Sequence, residues 1–447
     1  MQALRGSVAT GAAGSAAGET DKTDETGEMG ETGVSRVSSG TVSHVLITGG
    51  RGQLGGELQR LLQRAGVPYE ALDLPELDVT DERAVRAAVQ RVAERAEKQR
   101  AAETAVQVSW RAAERASGRS AGGSGGTALV IHAAAFTAVD RAEDPAQREL
   151  ATRVNAEGTR NVARACAAAG LPLVYVSTDF VFGGEKRVPY EVDDEPAPLS
   201  VYGATKLAGE QAVREIWPQH YIVRTAWVYG VYGRNFPGAI LGAAAAAGAA
   251  PDDAAVARAS AEADDAVAAA GAQAAAKAAK ASAQATSRSP QPLRVVDDQV
   301  GCPTYAHDLA EAILLLAGVP VVQPEGVQLL PQAAPAAASP RAGAPEGAVV
   351  LTPAPFGTYH VTNGGSCSWY EFAREIVGLA GWPVEVEPIS SAELNRPARR
   401  PAYSVLSPAK LRSVGLQLRP WQEALRAFMA ELRADSPDLF LPASRND

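Results

Sequence analysis

The sequence predicts an α/β protein in which a doubly wound parallel sheet is followed by a smaller, mixed α/β domain. Several short runs rich in Val and Ile are too continuous for a sheet with one face in water, and such strands are normally covered by helices on both faces. Helical segments alternate with these runs, and a glycine-rich turn follows the first of them. The predicted strands are SHVLIT (43–48), YEALD (69–73), ALVIHAAA (128–135), LPLVYVST (171–178) and YIVRTAWVY (221–229). The predicted helices are Gly52–Ala65, Pro145–Ala169 and Tyr202–Ile216.

Low-complexity segments interrupt this pattern. They share a high content of Ala, Gly, Ser, Pro or mixed charge and few residues that drive burial, and they are 1–42, about 95–126, about 241–291 and about 320–355. We expect the first to be a disordered leader and the other three to be insertions. The third has the helix propensity of alanine but no apolar stripe, so a solvated helix and disorder are both open, with disorder favoured.

Bulk charge and cysteine content exclude several classes of protein. A formal net charge of -9 and a pI near 5.3 argue against binding to nucleic acid or to an anionic membrane, because clustered Lys and Arg hold phosphate surfaces. The three cysteines have no close pairing, so neither a disulfide framework nor a zinc site is indicated. With no signal-peptide pattern and no apolar run of the roughly 20 residues that span a bilayer, we expect a cytoplasmic protein with small-molecule partners.

The glycine turn lies between the first strand and the first helix, in the segment SHVLITGGRGQLGGEL. Gly49, Gly52 and Gly55 would let the backbone approach a pyrophosphate, toward which the N-terminal amides of the next helix point. Glycine spacing alone also fits a flexible turn. The strand before the turn and an acid after it favour a Rossmann-type dinucleotide site.

That acid is Asp73, about 20 residues beyond the turn at the end of YEALD. A carboxylate there accepts hydrogen bonds from the adenosine ribose and repels a 2′-phosphate, which favours NADH over NADPH. Alternatively, Asp73 only caps the end of the strand and binds no cofactor. Asp78 and Val79 follow in LDVTD, a weaker signal for contacts with the adenine.

A tyrosine and a lysine four residues apart occupy one face of the third predicted helix. Tyr202 and Lys206 in SVYGATKLAGE therefore point into the same space, and a nearby cation favours the deprotonated phenol needed for acid–base chemistry. Alternatively, a tyrosine and a lysine have this spacing on the helix by chance and without a chemical role. The buried strand LPLVYVST strengthens the chemical interpretation, because it ends in Ser177 and Thr178 where ligands of doubly wound sheets lie. Thr178 could bond a substrate carbonyl while Tyr202 protonates it, and Ser177 fits a capping role.

The chain closely resembles the dTDP-4-dehydrorhamnose reductase family of extended short-chain dehydrogenases/reductases, over about 48–412. The glycine turn and YxxxK specify the wider group. The narrower resemblance rests on STDFVF, VYGATKLAGE, RTAWVYG and DDQVGCPT. It implies NAD(P)H-dependent reduction of the C4 ketone of dTDP-4-dehydro-L-rhamnose to dTDP-L-rhamnose.

The resemblance also implies roles for individual residues. The proton donor would be Tyr202, with Lys206 as its partner and Thr178 as the hydroxyl that assists it. Further cofactor contacts would be Gln53 and Leu54, besides the three glycines, and Ala135, Phe136 and Thr137. The substrate contacts would be Thr178, Asp179, Trp227, Arg399 and Arg400. A homodimer and a requirement for Mg²⁺ are compatible with the sequence, which shows no cluster of metal ligands.

Domain limits follow from the same resemblance. We expect an NAD(P)-binding Rossmann domain over 43–230 and a mainly substrate-binding domain over 231–447. Two segments of the latter, about 293–318 and 357–362, would return to the Rossmann domain.

Other functions stay open on the same scaffold. The rivals are another nucleotide-sugar 4-ketoreductase, an epimerase, and a non-catalytic subunit resembling the regulatory subunit of methionine adenosyltransferase. A dehydratase is disfavoured because Asp179 after Thr178 is followed by Phe180 and not by glutamate. His132, Phe136 and Phe180 depart from the residues usual in the family, and none of them removes a catalytic group.

Overall fold

The computed structural model describes residues 42–114, 127–247, 292–333 and 345–436. The predicted leader lies outside these ranges except for Val42, as does most of the predicted insertion at about 241–291. The helices are α1 (Gln53–Arg64), α2 (Glu82–Glu114), α3 (Pro145–Thr152), α4 (Thr159–Ala169), α5 (Val201–Ile216), α6 (Phe236–Ala247), α7 (Ala306–Leu316), α8 (Trp369–Ala380), α9 (Ser391–Leu394), α10 (Ala409–Ser413) and α11 (Trp421–Asp435). Short 3₁₀ turns span Arg141–Glu143 and Asp179–Val181, and a π-helical turn spans Arg153–Gly158.

The strands are mostly short. They are β1 (Val42–Thr48), β2 (Tyr69–Leu72), β3 (Thr127–His132), β4 (Leu173–Thr178), β5 (His220–Thr225), β6 (Val228–Tyr229), β7 (Leu293–Val296), β8 (Val300–Gly301), β9 (Thr304–Tyr305), β10 (Val321–Val322), β11 (Val327–Leu329), β12 (Ala348–Val349), β13 (Gly357–His360), β14 (Cys367–Ser368), β15 (Val386–Ile389) and β16 (Leu416–Leu418).

A six-stranded sheet in the order β13-β5-β4-β3-β1-β2 carries the site, and every pairing in it is parallel. Alternate residues of β1 face opposite sides: Val45 and Ile47 pack against α1 and α7, whereas Leu46 packs against α2 and α4. Both faces are thus buried under helices. The predicted doubly wound α/β fold is confirmed.

A second core lies under α6, α8 and α11. Phe372, Ile376, Leu425 and Phe428 are buried there, together with Trp421, one of the three tryptophans after residue 356. The described residues form one compact unit that includes both this core and the sheet.

The structure differs from the sequence prediction in the run YIVRTAWVY. The predicted single strand is wrong, because β5 ends at Thr225 and β6 joins β9 in a separate two-stranded sheet. Trp227, between them, has a φ of 48°, a left-handed conformation that a continuous strand cannot contain.

Two of the expected insertions contain regular structure. Helix α2 continues to Glu114, through much of the expected insertion at about 95–126, and Ala96 within this part of the helix is buried. In the segment at about 320–355, β10 pairs with β12 and β11 pairs with β16. Val321, Val327 and Leu351 join the main core, so apolar burial stabilises a segment whose composition suggested none.

Helix spans agree with the predictions except for one irregularity. The predicted helix Pro145–Ala169 is divided into α3 and α4 by the π-helical turn. π-Helical turns often occur at functional sites. Here the turn contains Asn155, whose contacts reach the loop after β3.

Candidate active site

The glycine turn is packed so closely that its glycines could not be replaced by residues with side chains. Gly49 has a φ of +78°, and a Cβ there would lie 2.6 Å from the backbone nitrogen of Ala134. A Cβ on Gly55 would lie 2.2 Å from the carbonyl oxygen of Gly49, so α1 packs directly on the turn. Gly52 is the N-cap of α1 and has no side chain to bond the amides of the first helical turn. Those amides therefore remain available to a ligand beyond the end of β1. This cradle fits a dinucleotide pyrophosphate.

The cofactor residues predicted in α1 differ in their surroundings. Gln53 Nε2 donates to the carbonyl oxygen of Arg234 at 3.1 Å, while its Oε1 is buried without a hydrogen-bond partner. A buried acceptor without a partner, next to the glycine turn, is a second feature after the glycine cradle that fits a bound polar ligand. The Leu54 side chain is buried in the core, so a ligand could meet only its backbone.

Asp73 follows β2 and faces the glycine turn. Its Oδ2 accepts the backbone N–H of Arg51 at 3.0 Å, and its Oδ1 accepts the N–H of Leu74 at 2.8 Å. The carboxylate therefore caps the end of β2, which is the alternative role that the sequence allowed for Asp73.

Asp78 and Val79 have local structural partners. Asp78 Oδ1 accepts both the N–H and the hydroxyl of Thr80 at 2.8 Å. Val79 is buried against Gly158. The cofactor contacts expected of Asp78 and Val79 stay predictions, and for Val79 they would involve the backbone.

The loop after β3 is held by Asn155, which the sequence analysis missed. Asn155 accepts the Phe136 N–H at 2.8 Å, and its amide group donates to the Phe136 carbonyl and to Thr205 Oγ1, both at 3.0 Å. This fixes Ala135, Phe136 and Thr137 relative to α5. A buried asparagine inside a predicted helix is the signal that could have identified it.

His132, at the end of β3, is structural. Its ring nitrogens lie 2.7 Å from Thr48 Oγ1 and 3.1 Å from Thr159 Oγ1. Burial and the nearby Lys206 lower the pKa of His132 to about 3, so it is neutral at physiological pH.

The end of β4 carries the predicted hydroxyl cluster. Thr178 Oγ1 donates to Asp179 Oδ1 at 3.0 Å and accepts the Phe180 N–H at 3.2 Å. Asp179 is buried, and burial raises its pKa to about 6. Ser177 points away and donates to Glu210 at 2.6 Å, in agreement with a structural role.

Helix α5 places Tyr202 and Lys206 along the end of β4. Lys206 Nζ donates to the carbonyl oxygen of Val176 at 2.7 Å and lies 4.2 Å from the centre of the Tyr175 ring. The Tyr202 ring packs edge-on against Phe180 at 5.9 Å between centroids. Lys206 thus contacts β4 at Val176, and Tyr202 contacts the 3₁₀ turn after β4 at Phe180, so the two contacts flank Thr178 in the sequence.

Lys206 is almost fully buried. Burial lowers its pKa to about 7, while the Glu210 carboxylate one turn further along α5 favours the charged form.

The other three predicted substrate residues lie outside the six-stranded sheet: Trp227 packs against the second core, and Arg399 and Arg400 lie in the loop between α9 and α10. Trp227 stacks on Trp369 with ring centroids 3.5 Å apart and planes 8° apart. Arg400 donates to both oxygens of Asp140 at 3.0 Å, whereas Arg399 is exposed. The guanidinium of Arg400 thus already has a carboxylate partner, whereas Arg399 faces solvent, and a substrate contact by either residue stays a prediction.

A buried ion pair beneath the site was also missed. Arg224 in β5 binds Glu210 in α5 through two hydrogen bonds. An arginine inside an otherwise apolar strand requires a buried partner, and that requirement is the signal in the sequence.

Two further features bear on the chemistry. Among the described residues, no cluster of His, Cys, Asp or Glu is arranged to hold a metal ion. None of the helices within the described ranges combines the length and apolar character that crossing a membrane requires.

Comparison with known proteins decides the family. The profile described as the RmlD substrate binding domain matches residues 43–126, 124–251 and 345–434. The dTDP-4-dehydrorhamnose reductase of Streptomyces griseus is 36% identical over 85% of this chain and 91% of the relative. The chain belongs to the dTDP-4-dehydrorhamnose reductase family.

A solved member of the family supports the fold and the cofactor class. The dTDP-4-dehydrorhamnose reductase from Bacillus anthracis, in complex with NADP, is 31% identical and covers 87% of this chain and 99% of its own, with a TM-score of 0.60. A dTDP-4-keto-6-deoxy-D-glucose reductase from Streptomyces niveus is 28% identical over 87% of this chain and 98% of its own. The family and the glycine cradle together indicate an oxidoreductase with a nicotinamide cofactor.

Proposed function

We propose that this chain reduces the C4 ketone of dTDP-4-dehydro-L-rhamnose to give dTDP-L-rhamnose. The observation that carries the proposal is that Lys206 contacts Val176 and Tyr202 contacts Phe180, the residues two before and two after Thr178 at the carboxyl end of β4. That edge of the sheet also carries the glycine cradle.

The proposed chemistry needs one proton donor and one oriented hydroxyl. When bound, a reduced nicotinamide supplies the hydride. Tyr202 donates a proton to the sugar oxygen, and the Thr178 hydroxyl stabilises the negative charge that develops there. The ammonium group of Lys206 favours loss of the Tyr202 proton, and Glu210 helps Lys206 to keep its charge despite burial.

Recognition of the nucleotide is assigned to the second core and its loops. Trp227, held on Trp369, offers a flat apolar surface beside the site. Arg399 is exposed in the loop that Asp140 fixes through Arg400, and a guanidinium there could bind the diphosphate. Asp179 is proposed to contact the sugar from the end of β4.

The cofactor preference and solution properties are further proposals. Asp73 supports use of NADH because its carboxylate can accept bonds from ribose hydroxyls. A cytoplasmic location and a homodimer are consistent with the acidic charge and unpaired cysteines, and sedimentation velocity tests the dimer. A role for Mg²⁺ is tested by chelation, since a rate unchanged by EDTA would exclude it.

A second candidate is reduction of another dTDP-linked 4-keto sugar, as the name of the Streptomyces niveus relative indicates for that protein. The test is oxidation of NADH and NADPH by the full chain with dTDP-4-dehydro-L-rhamnose and, separately, with dTDP-4-keto-6-deoxy-D-glucose. Higher kcat/KM for the first supports the proposal, and higher kcat/KM for the second favours the alternative. No substrate-dependent oxidation with either sugar would contradict the enzymatic function and favour a regulatory subunit.

A further inference from the structure

Trp227 has an unusual backbone conformation in the loop between β5 and β6. Its φ of 48° lies in the left-handed region, which residues other than glycine rarely adopt and which persists only where the surrounding structure enforces it. Its carbonyl oxygen accepts the N–H of Thr304 at 3.2 Å. Because Trp227 is proposed to meet the nucleotide sugar, the contacts that hold its indole ring bear directly on recognition.

Trp369 covers one face of that ring. The two indoles are 8° from parallel with centroids 3.5 Å apart, so they overlap with almost no lateral offset. Aromatic pairs prefer an offset, so the surrounding structure imposes this overlap. Phe236 packs on Trp369 with centroids 4.5 Å apart and also stacks on the buried Phe372. Trp369 is thus supported by the second core.

Gly301 in β8 lies against the opposite face. A Cβ at this position would be 2.5 Å from Cε2 of Trp227 and 2.7 Å from its Nε1 and Cζ2. These three atoms are bonded neighbours, and their nearly equal distances place the Gly301 backbone over the plane of the ring. On the other side, a Cβ so close to Trp227 would meet atoms of Trp369 first. The ring is therefore held in a slot between Trp369 and Gly301, and the close approach of the backbone requires glycine.

Both walls of the slot belong to one two-stranded sheet. Gly301 in β8 pairs with Cys367 in β14, and Trp369 follows that strand as the first residue of α8. Ser368, the N-cap of α8, donates its hydroxyl to Asp297 Oδ1 at 2.5 Å. The segment DDQVG (297–301) thus supplies one wall and fixes the start of the helix that supplies the other.

Strand β8 also holds the loop that carries Arg399. The Val300 N–H donates to the carbonyl oxygen of Ala402 at 2.9 Å, and the Val300 carbonyl oxygen accepts the N–H of Ser404 at 2.8 Å. The strand therefore pairs with β14 on one side and with this loop on the other. The relative position of Trp227 and Arg399, two groups proposed to bind the nucleotide sugar, depends on β8.

We infer that Gly301 and Trp369 are positioning residues for the nucleotide sugar and act on it through Trp227. The slot fixes the plane of the indole relative to the loop of Arg399. The inference rests on the proposed function, in which Trp227 contacts the nucleotide sugar. Replacing either wall moves the ring and weakens binding of the sugar, whereas the cofactor cradle and the proton donor stay in place.

Calorimetric titration of the full chain with dTDP-L-rhamnose, and separately with NADH, tests the slot. Gly301→Ala and Trp369→Leu should each weaken binding of dTDP-L-rhamnose about tenfold, because the ring loses its enforced position. Trp369→Phe keeps a flat ring against Trp227 and should stay within about threefold of the wild type. Binding of NADH should change less than about twofold in all three variants. In steady-state kinetics, KM for the better sugar substrate should rise while kcat stays nearly constant.

Two substitutions elsewhere in the second core are matched controls. A Cβ at Gly378 in α8 would meet no atom within 4 Å, so Gly378→Ala should change neither affinity. Trp382→Leu removes a half-buried indole from the same core and should lower stability without changing the affinity for dTDP-L-rhamnose.

A double-mutant cycle separates positioning from general damage to the fold. Trp227→Leu should itself bind dTDP-L-rhamnose about tenfold more weakly than the wild type. In that background Gly301→Ala should add less than about twofold, because the atoms that the new Cβ would meet first all belong to Trp227. Trp369→Leu should likewise add little.

Equal effects of Gly301→Ala with and without Trp227 would overturn the inference, as would unchanged binding of dTDP-L-rhamnose by Gly301→Ala. A wild-type chain that does not bind dTDP-L-rhamnose would overturn it as well. Binding of dTDP-L-rhamnose that depends on the slot, in a chain that reduces neither sugar, would uphold the inference while the proposed reaction failed.

Discussion

Glu210 and Arg224 form a two-pronged ion pair beneath the candidate site. Arg224 Nε and Nη2 donate to the two carboxylate oxygens at 2.9 and 2.8 Å, and the side chains are only 1% and 0% exposed. Ser177, next to Thr178, donates to the same carboxylate. The pair therefore joins β4, β5 and α5 at the point where the proposed catalytic residues meet.

Glu210→Gln should lower the free energy of unfolding by about 3 kcal/mol, because a buried arginine would lose its charged partner. Burial alone would raise the pKa of Glu210, but Arg224 holds it below its usual value, so the carboxylate is ionised in the folded protein. Urea unfolding at neutral pH measures the change. Glu215→Gln is the control on the same helix, where an exposed pair with Arg160 should contribute less than about 0.5 kcal/mol. Equal losses in the two variants would contradict this assignment.

The contribution of His307 to stability should fall between about pH 6.5 and pH 9. Burial opposes its protonation, but hydrogen bonds to Glu311 and Glu57 prevail and raise the pKa of His307 to about 9. A raised folded-state pKa gives stability that is complete below the unfolded value near 6.5 and lost as the pH rises through 9. The shift from 6.5 to about 9 corresponds to at most about 3 kcal/mol, and Arg60, 2.8 Å from the same ring nitrogen as Glu57, opposes the protonated form.

Urea unfolding across this pH range measures the effect for the wild type and for His307→Gln. The difference in the free energy of unfolding between the wild type and His307→Gln should shrink from pH 6.5 to pH 9, because glutamine does not titrate. Comparing the two proteins cancels the opposite contribution of Lys206, whose lowered pKa makes stability rise as the pH increases above about 7. An identical pH dependence in both proteins would show that another group is responsible.

Tyr202→Phe should lower kcat at least about a hundredfold, the range associated with loss of a positioned proton donor. Dinucleotide binding should persist, because the phenyl ring can keep its edge-on contact with Phe180. The measurements are steady-state kinetics with the sugar that proves to be the better substrate, and calorimetric titration with NADH. Tyr370→Phe, on α8, should leave both unchanged. Near-normal turnover by Tyr202→Phe would remove Tyr202 from the mechanism.

Asp140→Asn should raise the KM for the nucleotide sugar about tenfold with little change in kcat, because Asp140 anchors the loop that carries Arg399. Burial alone would raise the pKa of Asp140, but Arg400 and Arg396 hold it below its usual value, so the pair is ionised. Asp193→Asn, an exposed acid, is the control. A fall in kcat with KM unchanged would show that the loop acts on the chemistry and not on binding.

Local patterns in the sequence were sufficient to predict the fold class and to locate the candidate site at one edge of the sheet. Apolar runs alternating with helices predicted the doubly wound sheet, because strands buried on both faces must be apolar throughout. The glycine turn and the hydroxyl-bearing strand end could be located because a parallel sheet places its ligands at the carboxyl ends of strands. The spacing of Tyr202 and Lys206 placed both on one face of α5, since four residues make about one helical turn.

Tertiary structure decided which charges meet. Arg224 forms an ion pair with Glu210, and Lys206 donates a hydrogen bond to the backbone of β4. Arg51 contacts Asp73 through its backbone and Glu76 through its side chain. These contacts join separate elements, and the distance between two elements depends on how they pack. The periodicity of the sequence carries no information about that packing. The end of β5 before Trp227 and the burial of Leu351 have the same cause, because each depends on partners remote in the sequence.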